Sequence, residues 1–478
     1  MYGDVRTTVS DGLLGFGTEK GTGIFVAIGA SPVSAIEPVT ITANMNAEKM
    51  KASLGLSPLA DSVMDSVENG AGRIYCIPVK PSIEGTIGTV HAEKEGSGEL
   101  GVSGKPHNAY QVIAKITGKG ELNSALFTYS IDGGMNYQDE QTIPVSGKFI
   151  IPETGLTLSF TEGLAGAESE DSFQIGDTYD FVTSAPRMSN DDVLGAIEGL
   201  RYFNAAYELV HIVGESEPAM WAAVSAAQKE LEGTHNKPLL FILEAYDIGA
   251  DEILEAYALR LENDRKQIKN WNIQVVAGRA LYSKMDGRIQ EQNCAGIVCG
   301  LYARTEVQKS IGRTRSSYGL GIRKEKMIEL RPRGIKEYLE LIDAASYLTF
   351  RDYDGLEGFY VASANVMSPP GSDYRYAEDV RVLNKMIRKV REAALPLLQE
   401  DIDIGDTQGE LERLAKFMEV PLDTMTENKE ISSAEVTVPE GQDVIKNEDM
   451  EVLIRYVSRG YIRTVRVDIG RANISIST

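Results

Sequence analysis

The sequence predicts a multidomain α/β protein, α+β when its domains are taken together. A mixed sheet with covering helices carries an inserted β-sandwich, and a C-terminal α+β domain follows it. Three observations predict this. Apolar runs of strand length alternate with helix-length segments on both sides of a long interruption. That interruption, from about Pro81 to Arg187, is rich in Gly, Ser and Thr and reads as short alternating strands. Beyond Pro369 and Pro370 a long amphipathic helix precedes a pair of strands.

Composition narrows the function classes. A chain of 478 residues is too long for one ordinary core and implies about two to four domains. With 48 Lys+Arg against 70 Asp+Glu, the net charge is -22, which argues against a nucleic-acid binder. Cys76, Cys294 and Cys299 are too few for a disulfide framework and fit a reducing compartment. No basic segment followed by an apolar core opens the chain, and no apolar run approaches the ~18 residues of a membrane span. The expectation is a soluble protein made in the cytoplasm, with no membrane insertion.

In chain order, residues 1–22 form a glycine-dotted arm in which Val5, Thr7 and Val9 alternate with polar residues as in a short strand. Gly23 to Gly29 and Gly72 to Val79 read as buried strands flanking a mostly helical segment from Ala47 to Glu68. Residues 86–187 form the expected insertion, with strands over Tyr110–Ile116, Ala125–Ile131, Lys148–Ile151 and Leu156–Phe160. Alternation resumes at Ser189, a helix cap followed by Asp191 and Asp192. Strands near Leu209, Leu239 and Ile273 are then separated by helices over Met220–Leu231 and Glu252–Arg265. Residues 23–85 and 188–356 thus make one discontinuous α/β domain, and 357–470 a further α+β domain.

No catalytic constellation emerges. The four histidines are scattered, and none stands in a metal-ligand spacing. Cys294 and Cys299 lie in a run of small apolar residues that reads as close helix packing. The glycines from Gly15 to Gly23 precede a strand instead of following one, and no Gly-Lys-Ser/Thr is present. Ser130 to Tyr137 resembles a single Asp-box turn and reads as a plain β-turn. No catalytic residue, metal site or cofactor is expected.

The informative stretch is Asp373 to Ile404. Val380, Leu383, Ile387, Val390 and Ala394 draw one apolar stripe, and Glu378 and Asp379 occupy the first turn. Arg381, Lys385, Arg388, Lys389 and Arg391 crowd the other faces, a basic surface suited to an acidic partner. A short helix over Glu410–Met418 follows. The hairpin of Glu451–Val457 and Tyr461–Ile469 then presents Ile454, Tyr456, Val465, Val467 and Ile469. The last residues, 471–478, are another thin arm with Ile474 and Ile476. Strand-like arms beside an incomplete sheet are what strand exchange between subunits requires.

These stretches resemble a contractile tail sheath protein of a bacteriophage or phage-tail-like particle. The resemblance is carried by Ala295 to Arg304, by the loop through Tyr374 and Arg375 leading into Val380 to Leu398, and by the closing hairpin with its arm. Leu395-Pro396-Leu397-Leu398 stands where better-known sheaths end this helix on an aromatic-Pro-Asn sequence. The resemblance implies hexameric rings stacked around an inner tail tube, linked by arms that add strands to a neighbour. It also implies contraction without nucleotide hydrolysis, baseplate and tail terminator proteins as partners, and a place in the tail of a virion or tail-like particle. Two other readings stand beside it: an α/β hydrolytic enzyme with an inserted carbohydrate-binding domain, and a non-contractile adhesin or capsid-like protein.

Overall fold

A computed structural model describes residues 23–163 and 172–471, which divide between Lys385 and Met386 into two compact units. Val5, Thr7, Val9, Ile474 and Ile476 lie outside the described residues.

The first unit is built on a six-stranded sheet. Its spatial order is Ile273–Val276, Leu240–Ala245, Leu209–Ser216, Ile24–Ala30, Arg73–Val79 and Val39–Thr42. All neighbours are parallel except the edge strand Val39–Thr42. Strands covered on both faces must be continuously apolar. Leu240–Ala245 and Ile273–Val276 are accordingly buried at every residue, and Ile24–Ala30 at all but its first. From Ile24–Ala30 the chain pairs on one side with Arg73–Val79 and on the other with Leu209–Ser216. The two directions separate there, a switch point whose carboxyl end opens a crevice.

Helix packing on this sheet relies on glycine at two positions. Ala295–Ala303 lies against Pro58–Glu68 so closely that Ser66 Oγ donates to the carbonyl of Gly296 at 2.8 Å. A Cβ on Gly296 would stand 2.7 Å from the Ser62 carbonyl oxygen, and one on Gly300 2.5 Å from that of Ser66. Cys294 and Cys299 are buried, free thiols in this seam, which is the close packing read from the sequence. The helix Asn190–Gly199 starts on the expected Ser189, in a reciprocal capping box with Asp192.

Among the described residues, strands between His91 and Val182 form two antiparallel sheets, one of three strands and one of five, on a single apolar core. Leu156, Leu158 and Phe160 from one sheet share that core with Val112, Phe127 and Tyr179 from the other. Asp132 is the nucleus of the Ser130–Asn136 turn: it accepts from Ser130 Oγ at 2.6 Å and from the Asn136 amide at 2.9 Å. These are local turn bonds. Unanticipated from the sequence is a three-stranded antiparallel sheet of Arg279–Ser283, Ile289–Asn293 and Met327–Arg331.

In the second unit the helix Thr407–Glu427 outruns the expected Glu410–Met418 and passes through Pro421. The reason lies in its buried stripe. Leu411, Leu414, Ala415, Met418, Leu422 and Met425 keep helical spacing across the proline, so burial outweighs the lost backbone bond. The closing hairpin differs more. Leu453–Val457 pairs antiparallel with Ser433–Thr437, and residues 458–471 belong to no strand. The expected partner Tyr461–Ile469 loses to Ser433–Thr437 because the latter's Val436 also packs on the apolar cluster around Leu411 and Ala415.

Gly300→Ala is therefore expected to destabilise the fold by ~1–3 kcal/mol through overpacking. Gly195→Ala, where a Cβ meets nothing within 4 Å, should be neutral or slightly stabilising. Thermal melting of the two variants checks this.

Candidate assembly surfaces

The long helix runs from Ala377 to Ala394. Arg381 does not belong to its basic outer side. The residue is 2% exposed, and Nη2 donates to Glu208 Oε1 at 2.7 Å and to the carbonyls of Thr305 and Tyr302 at 3.1 and 3.2 Å. Its guanidinium also stands over the Tyr302 ring, 5.1 Å from the centroid. Ala377, Val380, Arg381 and Asn384 are all buried, which is the i, i+3, i+4, i+7 face. That spacing could have singled out Arg381 in the sequence, because Asn384 is equally buried and donates to Asn272 Oδ1 at 2.8 Å. Glu208, the partner that decides the matter, carries no sequence signal of its own. Lys385 and Arg388 are half-buried, while Lys389 and Arg391 are exposed. Lys389 reaches Glu392 at 2.9 Å. Leu383, Ile387, Val390 and Ala394 of the predicted stripe are half-buried.

In the hairpin, Ile454 lies opposite Val436 and Tyr456 opposite Ala434, and these four form its half-buried face. Val465, Val467 and Ile469 share one face of the extended pattern, with exposures between 73% and 89%.

A cavity of about 400 Å³ opens at the sheet's switch point, among Ala30, Asp61, Asp65, Glu244, Arg279 and Lys284. No sequence spacing pointed to it, since its lining converges from separate elements. Two buried carboxylates of the helix Pro58–Glu68 meet cations of the unanticipated sheet and its turn. Asp61 pairs with Arg288 and accepts from Asn108 at 2.7 Å, and Lys284 donates to Asp65 at 2.8 Å. Burial pushes Asp65 up to about 6 against the pull of Lys284. Burial also acts on Asp61, but the charges of Arg288 and Lys284 overcome it and hold that carboxyl below its ordinary value. His211 bridges Ser62 Oγ at 3.3 Å and Glu244 Oε1 at 3.1 Å.

Serine, histidine and glutamate are the residue types of a hydrolytic triad, but the geometry here is different. Ser62 lies inside a regular helix, where backbone N–H groups are committed to the helical ladder, and the imidazole is sealed from solvent. The network ties the helix Pro58–Glu68 to the sheet.

A family model described as the DUF2586 N-terminal domain matches residues 2–365, and one for the DUF2586 C-terminal domain matches residues 373–475. The chain belongs to the DUF2586 family. The gap between the two matches holds the Pro369-Pro370 loop. No curated protein sequence matches this DUF2586 chain. Among solved structures it is similar to the sheath tail protein from Desulfitobacterium hafniense, with a TM-score of 0.50 and 13% identity over 96% of this chain and 100% of that one. A chain in the anti-feeding prophage baseplate in its contracted state is also similar, with a TM-score of 0.52 and 12% identity over 100% of this chain and 98% of that one. The sheath resemblance read from the sequence is thus met in the fold.

Removing one partner of a buried ion pair strands the other. Arg381→Met in this DUF2586 protein is expected to cost ~3–5 kcal/mol, and adding Glu208→Leu should restore part of that. Chemical denaturation of the single and double variants checks it.

Proposed function

We propose that this protein is the structural subunit of a contractile tail sheath. It stacks as hexameric rings around an inner tail tube and contracts to drive the tube through a target envelope. The observation that carries the reading is a likeness of fold to a sheath tail protein along nearly the whole of both chains. In this reading it is not an enzyme, and it works in a tail or tail-like particle with baseplate and terminator proteins.

Each segment then takes a role. Residues 23–85 and 188–356 form the ring scaffold, and 86–187 is an inserted β-sandwich facing outward. Residues 357–470 form the inner domain. Lys385, Arg388, Lys389 and Arg391 hold the acidic wall of the tube, without Arg381, whose charge is neutralised internally. Exposed pairs are worth ~0–1 kcal/mol each, so the hold comes from many subunits acting together. The arms, with Val5, Thr7 and Val9 at one end and Val465, Val467, Ile469, Ile474 and Ile476 at the other, complete a neighbour's sheet at Ile454 and Tyr456. A short added strand contributes backbone bonds of ~0.5–1.5 kcal/mol each, and repetition in every subunit makes a continuous mesh.

Negative-stain imaging of the protein expressed with its inner tube protein tests the reading: striated tubes are expected. The variant Lys385→Glu, Lys389→Glu, Arg391→Glu should remain folded and leave tubes bare; an unaltered sheath on the tube would refute the helix assignment. Deleting residues 459–478 should leave melting unchanged and abolish polymerisation. Polymers formed without that segment would refute strand exchange through this arm.

A further inference from the structure

The charge of the second unit is divided along its sequence. Residues 400–451 carry 16 Asp+Glu against 4 Lys+Arg, a net charge of -12. Residues 452–471 carry 5 arginines against Asp468 alone, a net charge of +4, and residues 472–478 add none. The acidic part is the helix Thr407–Glu427, the strand Ser433–Thr437 and the connection from Val438 to Glu451, with Asp403, Asp406, Glu412, Asp423, Glu440 and Asp449 exposed. The basic part is the strand Leu453–Val457 and the segment beyond it.

That segment has the pattern of a half-buried strand, yet its apolar residues are exposed. Val465, Val467 and Ile469 fall on one face, and Thr464, Arg466 and Asp468 on the other. Among the described residues it pairs with no strand, although it follows directly on one. The hairpin beside it already matches Arg455 with Glu435 at facing positions. Opposite charges at such positions stabilise a ladder.

We infer that the acidic body of this unit, residues 400–451, is an electrostatic receptor for the cationic C-terminal arm of a second copy of this chain, and that it selects this arm over the N-terminal one. The inference rests on the strand-exchange reading and adds to it what distinguishes the two arms. Residues 1–22 carry Asp4, Asp11 and Glu19 against Arg6 and Lys20, so the N-terminal arm has a net charge of -1 and gains nothing from an acidic receptor. Attraction over a surface of one sign speeds encounter by roughly 10–10³-fold and is screened within about 8 Å at physiological salt. Joining through the C-terminal arm is therefore sensitive to ionic strength, whereas joining through the N-terminal arm is not.

Fluorescein-labelled peptides spanning residues 458–478 and 1–22, titrated with the full-length chain and read by anisotropy, test this. Between 50 and 500 mM salt (about a threefold change in screening length) the C-terminal peptide's Kd should weaken at least about tenfold, and the N-terminal peptide's less than about twofold. A peptide with Arg459→Gln, Arg463→Gln and Arg466→Gln should bind about tenfold more weakly at low salt and lose most of the salt response, while lysine at the same positions should preserve both. Salt-independent binding of the C-terminal peptide would overturn the electrostatic selection and leave strand addition standing. So would an equal salt response of the two arms, or a glutamine peptide matching its parent. No binding of the C-terminal peptide at low salt would overturn both.

Discussion

A charge buried without a partner costs more than almost any other local error, and in this protein that constraint sets the long helix. Arg381 is sealed against Glu208 and the carbonyls of Tyr302 and Thr305, which end the helix packed on Pro58–Glu68. Because that guanidinium must point inward, the rotation of the first turns is fixed. Ala377, Val380 and Asn384 share its face. The cations that remain outside follow from this one pairing. The contacts to the carboxylate and the two carbonyls all converge on one guanidinium nitrogen, Nη2.

The same logic repeats at the switch point of the sheet. Asp61 and Asp65 are buried on the helix Pro58–Glu68, and each is matched by a cation from the sheet and turn of Arg279–Asn293. A cavity with acids, a serine and a histidine in its neighbourhood invites an enzymatic reading, and the fold class alone would allow one. The helical setting of Ser62 and the sealing of His211 make this network a brace.

Within the second unit the balance shifts from burial to exposure. One apolar cluster gathers around Leu411, Ala415 and Val438, and among the described residues its sheet has two strands with open edges. A two-stranded sheet is marginal by itself, and open edges invite pairing. Ile462, Val465, Val467 and Ile469 stay in solvent instead of enlarging that core.

Much of the fold was legible from periodicity. The buried parallel strands announce themselves as unbroken apolar runs, Ser189 with Asp192 as a capping box, and the run from Cys294 to Gly300 as a helix that tolerates only close neighbours. These are local rules, set by backbone geometry and by what a side chain must hide from water. Three things were decided only in three dimensions. Ser433–Thr437 outcompeted Tyr461–Ile469 for the strand Leu453–Val457 because it could also bury Val436, a gain no local pattern displays. The helix through Pro421 continued because its stripe was worth more than one backbone bond. Arg381 changed from surface cation to core residue because Glu208, 173 residues away, was waiting for it. Sequence determines which groups must be buried or paired; which partner meets that demand depends on where the chain returns.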